Sequence, residues 1–152
     1  MSEKLSIRDA VPADEAGVLG LLEELARTAG GPDTVTPPGV GAAFREILAK
    51  GKGSILLADE GGILLGMVTL SYPLAIRCGG VYACIEEFVV GPQARGMGVG
   101  GLLLEAAVRR AREMGCAEIQ VNRPSEAGYP VYLRHGWQDL GKHLNLAIQY
   151  TV

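Results

Sequence analysis

The chain's 152 residues suit one domain, expected to span 1–152, and its 48% apolar residues supply a buried core, which argues against disorder. A net charge of −3 without a basic block argues against a nucleic-acid partner, and no apolar run nears the roughly 20 residues that cross a bilayer. The opening MSEKLSIRDA has no signal-like apolar stretch, so a cytoplasmic location away from membranes is expected.

Residues 5–8 read as a short opening strand. Pro12-Ala13-Asp14 starts a helix with Val18, Leu21, Leu22 and Leu25 at helical spacing, which Gly30-Gly31-Pro32 ends. Residues 34–41, rich in Pro and Gly, read as a loop before a second helix over 42–50. Strands are predicted at 54–58 and 63–71, joined by the turn Asp59-Glu60-Gly61-Gly62. A loop over 73–80 leads to a long strand, 81–90, that stops at Gly91-Pro92. A cluster of glycines follows, then a helix to about Met114 with Gly115 as its cap. A short strand at 118–121, a broken helical segment at 125–135 and a last strand at 144–150 complete a mixed α/β domain of order β-α-α-β-β-β-α-β-α-β. Cys78, Cys84 and Cys116 are odd in number and fit no zinc spacing; they read as reduced, structural thiols, and no metal site is expected.

The glycine cluster is the most informative stretch. Residues 94–107, ARGMGVGGLLLEAA, satisfy G-x-G-x-x-G through Gly96, Gly98 and Gly101. A dinucleotide fold would place that turn after its first strand, with several βα units to follow and an acidic residue about 20 positions on. Here the motif begins beyond residue 90, and the next strand ends in Asn122 and Arg123. The literal match is therefore accidental. A strand, a glycine turn and a helix N-terminus still converge backbone N–H groups on one concavity, which suits a pyrophosphate. Glycine at 96, 98 and 100 would keep side chains away from the phosphate oxygens, and Arg95 could add a charge-assisted contact.

Arg95-Gly96-Met97-Gly98-Val99-Gly100 resembles the Q/R-x-x-G-x-G/A signature of the GNAT superfamily of acyl-CoA-dependent N-acetyltransferases. Ile85-Glu86-Glu87-Phe88-Val89-Val90-Gly91-Pro92 is similar to that family's fourth strand, and Val131-Tyr132-Leu133-Arg134-His135-Gly136-Trp137 to its closing motif F-Y-E-K-L-G-F. The resemblance is strongest over 81–137. It implies a mixed, mostly antiparallel sheet with helices on both faces and splayed fourth and fifth strands. It also implies acetyl-CoA as donor. The amides of Arg95, Gly96, Met97, Gly98, Val99, Gly100 and Gly101 would hold the pyrophosphate. The backbone of Phe88, Val89 and Val90 would pair with the pantetheine arm, with an oxyanion-stabilising N–H near Val89. Ser125 stands where the family often has an asparagine on that arm. Tyr132 occupies the position of the tyrosine general acid that protonates the leaving thiolate.

Transfer to an amine needs the amine neutral, and an alkylamine's pKa is about 10.4, so a base is required. Glu86 and Glu87 are the candidates for catalysis or amine binding. Strand alternation sets Glu86 with Cys84 and Phe88, and Glu87 with Ile85 and Val89, although a bulge would reverse the faces. The bland alternative is one solvated carboxylate and one paired with an arginine such as Arg77. His135 reads as core packing or helix-end charge and Trp137 as core, while Tyr82 and Tyr129 could line an acceptor pocket. Pro130 fits only in the first turn of a helix starting at Tyr129. Gln120 replaces the glutamate that protein N-terminal acetylating relatives often carry on strand five, which favours a small-molecule amine. The alternatives are a lysine or protein N-terminus as acceptor, or a non-catalytic acyl-CoA-binding regulatory module. A homodimer through the terminal strands is a further expectation.

Overall fold

A computed structural model describes residues 4–30 and 36–148. Five strands form one sheet whose spatial order follows the chain: β1 (Leu5–Asp9), β2 (Gly53–Glu60), β3 (Ile63–Ser71), β4 (Ala83–Val90) and β5 (Ile119–Val121). All neighbours are antiparallel except β4 and β5, which run parallel. α1 (Glu15–Gly30) and α2 (Val40–Lys50) cover one face. There Val18, Leu21 and Phe44 pack on Ile55, Leu57, Met67 and Val89. α3 (Val99–Glu113) covers the other, laying Leu103, Leu104 and Ala107 against Leu56, Val68, Ile85 and Phe88, with α4 (Tyr129–Arg134) beside it. The expected architecture is present, and Pro130 falls in the first turn of α4.

The β2–β3 hairpin turns through Gly61 and Gly62, both in the left-handed region at φ 61° and 93°, and Asp59 accepts the Gly62 N–H at 2.7 Å. Three expectations need correction. The long strand begins at Ala83 rather than 81, because the Tyr82 N–H donates to the Pro73 carbonyl and turns the chain away; Gly80–Val81 instead pairs with Leu74–Ala75 in a separate two-residue ladder. The second helix starts two residues early, at Val40, after Gly39 at φ 91°. The predicted last strand is absent over residues 144–148: Leu144, Leu146 and Ile148 keep the strand alternation but find no partner among the described residues and stay more than 80% exposed. Its remaining residues lie outside those described, as do residues 34 and 35 of the predicted loop. No helix among the described residues is long and apolar enough to cross a membrane.

One irregularity in β4 positions the site. Thr69 stands opposite Glu87 and Leu70 opposite Ile85, so Glu86 is an extra residue, a β-bulge. Strict alternation therefore fails. Ile85 and Phe88 both join the α3-side core, while Val89 joins the α1/α2 side, shared by Glu87. Glu86 is not grouped with Phe88.

Candidate active site

The glycine turn feeds α3. Gly96 and Gly98 have φ of 78° and 81°, a conformation that costs a side-chain-bearing residue about 1–2 kcal/mol. Both need glycine for their backbone. At Gly100 a Cβ would stand 3.3 Å from Cζ of Phe88, close enough that the ring would have to give by a few tenths of an ångström. A Cβ on Gly101 would meet His135 Nε2 at 2.7 Å. The turn leaves the N–H groups of Val99, Gly100 and Gly101 without intrahelical acceptors, at the positive end of a 15-residue helix.

These amides face a cleft of about 480 Å³, within the range of small-molecule sites. Phe88, Val89, Val90, Arg95, Gly96, Gly98, Val99, Gly100, Gly101 and Ser125 all line it. Met97 and Tyr132 do not: Met97 is 52% exposed and its N–H is bonded to the Ala94 carbonyl, so that amide is no free donor. Gly98→Val should weaken cofactor binding more than tenfold, because the left-handed strain and a branched side chain at the cleft wall act together; calorimetric titration with acetyl-CoA measures it.

Phe88, Val89 and Val90 carry the cleft wall onto the end of β4, where that strand parts from β5. The two strands pair only as far as Ile85 opposite Val121, so residues 86–90 keep a neighbour, β3, on one side only. The direction of the free groups follows from two bonds: the Glu87 N–H donates to Thr69 Oγ1 and the Gly91 N–H to the Leu65 carbonyl, both on β3. Alternation then turns the N–H of Val89 toward β3 as well, and those of Phe88 and Val90 toward the open side. The Val89 N–H, near which an oxyanion donor is expected, therefore faces β3, and the adjacent N–H on the open side is that of Phe88.

The carboxylates differ in setting. Glu86, on the bulge, is exposed and accepts from Ser71 Oγ at 2.6 Å. Glu87 is half-buried and accepts from Thr69 Oγ1 at 3.0 Å. Burial pushes its carboxyl above the ordinary value; the hydroxyl opposes this and the Glu86 charge adds to it. Neither pairs with a cation among the described residues. Arg77 instead bonds Glu118 at 2.6 Å and lies over the Tyr82 ring.

Tyr132 is 4% exposed, its ring set edge-on between Phe88 at 5.3 Å and Trp137 at 4.9 Å. Its hydroxyl forms no hydrogen bond to another of the described residues. Burial, then the nearby Cys84, raises its pKa, which keeps the phenol protonated. Cys84 is buried near Asn122, whose amide donates to its sulfur at 3.8 Å. Burial and then Glu86 push this thiol up to about 11, so a thiolate nucleophile is not on offer at neutral pH. Cys78 and Cys116 are only half-buried, and all three cysteines are free.

Other residues fall elsewhere than expected. His135 is exposed, with Nδ1 bonded to the Val131 carbonyl at 2.9 Å, and its ring forms cleft wall rather than core. Trp137 does pack on the core. Tyr129 bonds Asp139 at 2.7 Å. Ser125 Oγ accepts the Gly128 N–H at 3.0 Å and so shapes the turn before α4. Leu25 and Thr28 of α1 and Arg134 of α4 also line the cleft, without any signal in their local sequence.

The comparisons with known proteins agree with this geometry. A profile of the acetyltransferase (GNAT) family matches residues 19–137. Glucosamine 6-phosphate N-acetyltransferase 1 of Oryza sativa subsp. japonica is 29% identical, the match covering 95% of this chain and 87% of that protein. A predicted acetyltransferase with acetyl-CoA from Clostridium acetobutylicum superimposes with a TM-score of 0.79 at 21% identity, covering 94% of this chain and 96% of that one. Glucosamine-6-phosphate N-acetyltransferase from Arabidopsis thaliana does so at 0.77 and 22%, covering 98% and 100%. With its glycine turn, splayed strands and matching profile, the chain belongs to the acetyltransferase (GNAT) family.

Proposed function

We propose that this acyltransferase moves an acetyl group from acetyl-CoA directly to a primary amine of a small molecule, with amino sugars the first acceptors to test. The observation that carries the reading is the opening between β4 and β5, which leaves residues 86–90 with a free outer edge on the strand that carries the half-buried carboxylate Glu87 and the cleft-lining Phe88, Val89 and Val90. Bound acetyl-CoA supplies the acyl thioester. The protein supplies the rest: α3 amides for the diphosphate, Phe88 and Val90 backbone for the arm, and Glu87 to take the ammonium proton. The Phe88 N–H holds the developing oxyanion, and the Tyr132 hydroxyl gives a proton to the departing sulfur.

Two observations support direct transfer to a small amine. The Cys84 thiol is held protonated, which disfavours an acyl-enzyme. The relative from rice is named for an amino-sugar phosphate and matches over nearly the whole chain. Thiol release from acetyl-CoA, measured with glucosamine 6-phosphate, glucosamine, polyamines, lysine peptides and N-terminal peptides, tests the reading. Turnover on small amines is expected; turnover on peptides alone would replace the acceptor class. Tight acetyl-CoA binding with no turnover on any of them would favour a regulatory module.

A further inference from the structure

Arg95 stands in the glycine turn, yet its guanidinium is committed elsewhere. Nη2 donates to Glu24 Oε1 at 2.9 Å, and Nε donates to the Val90 carbonyl at 3.3 Å. The first contact ties the turn to α1, whose Leu25 and Thr28 form cleft wall. The second engages a carbonyl on the free side of β4, where alternation turns Val90 outward. One side chain therefore holds both the cation next to the α3 amides and an acceptor on the open strand edge.

Glu24 is built to keep this contact. Its side chain is 13% exposed and it also accepts from Arg27, one turn along α1. The two arginines hold its carboxyl below the ordinary range, Arg27 foremost, so it stays charged at neutral pH. When Arg95 leaves, Arg27 remains to balance the carboxylate.

From this geometry we infer that Glu24 is an internal counter-ion that competes with the diphosphate of the cofactor for Arg95, weakening cofactor binding and speeding departure of the product coenzyme. The inference rests on the diphosphate reading given above. A guanidinium fork fits a diphosphate as well as a carboxylate, and the diphosphate brings more charge, so the incoming ligand wins Arg95 at the expense of the Glu24 contact. On the way out Glu24 recaptures it.

The test is a double-mutant cycle read by calorimetry with coenzyme A and acetyl-CoA. Glu24→Gln is expected to tighten binding about two- to fivefold, the range of a partly exposed ion pair. Coenzyme release, followed by stopped flow, should slow by a similar factor. The gain must vanish in an Arg95→Ala background, which separates competition for Arg95 from liberation of Arg27. Glu24→Ala, which leaves no amide to hold the guanidinium, should repeat the result, and thermal melts confirm that each variant is folded. Unchanged or weaker binding in Glu24→Gln, or the same gain without Arg95, overturns the inference while leaving the cofactor reading intact. A wild-type chain that binds neither ligand would sink both.

Discussion

Replacing Glu87 with glutamine is expected to lower kcat about 10²–10³-fold, the usual worth of a positioned general base, while raising the melting temperature. The two effects share one cause. Burial lifts the folded-state pKa of Glu87 above its unfolded value. A carboxylate shifted upward is easier to protonate in the fold than in the open chain. Its contribution to stability therefore falls as pH rises from the ordinary carboxylate value through the raised one, and the loss is complete above both. Glutamine carries no charge to desolvate and can still accept from Thr69, so at neutral pH the variant escapes that loss. A rate that falls while stability climbs is the signature of a charge kept for function at a cost to stability, whereas a glutamate without a catalytic role would show the gain in stability and keep the rate.

The pH profile sharpens this result. A base works only when ionised, so kcat/KM should climb with pH through the raised value of Glu87, and that limb should disappear in the glutamine variant. Glu86→Gln should do something smaller and different. Glu86 is exposed on the bulge, and its charge adds to the upward shift of its neighbour. Neutralising it should move the ascending limb to lower pH with only a few-fold change in maximal rate, because a like charge that opposed ionisation has gone. Full turnover in Glu87→Gln, or a limb that persists there, would remove Glu87 from the base role.

Much of this arrangement was legible in the chain because its determinants are local. Glycine at 96 and 98 marks a turn kept clear of side chains, Pro130 marks a helix start, and Gly61-Gly62 marks a hairpin; each acts within a few residues. The choice between Glu86 and Glu87 was not local. It depends on the register of β4 against β3, and the bulge at Glu86 exists only in the pairing of Thr69 with Glu87 and Leu70 with Ile85. The same holds for the N–H groups on the open side, which follow from that register. α1 shows the limit from another direction: its core face could be read from spacing, but nothing in the spacing says that Thr28 would reach the cleft or that Glu24 would meet Arg95, 71 residues away. The last strand failed for a related reason. Alternation at Leu144, Leu146 and Ile148 is a property of the segment, whereas a strand is a property of two segments, and the described residues provide no second one.

Tyr132→Phe is expected to lower kcat about 10²-fold with little change in KM or melting temperature. The ring carries the packing: Phe88 and Trp137 lie edge-on to it, and phenylalanine keeps both contacts. The hydroxyl has no hydrogen-bond partner among the described residues, so its removal strands no buried donor or acceptor there. Tyr132→Ala provides the contrast, because loss of a buried aromatic ring costs about 3–5 kcal/mol and would hide any catalytic effect under unfolding. The proton that this hydroxyl supplies matters in proportion to the basicity of the departing thiolate. A donor whose thiol is more acidic, such as an aryl thioester, leaves without help, so the deficit of the phenylalanine variant should shrink with it. The raised pKa of Tyr132 adds a second check, since a phenol protonated throughout the neutral range contributes no descending limb there. An equal deficit with both donors would assign the residue to binding or to shaping the gap, and an undiminished rate with acetyl-CoA would leave the thiolate to take its proton from water.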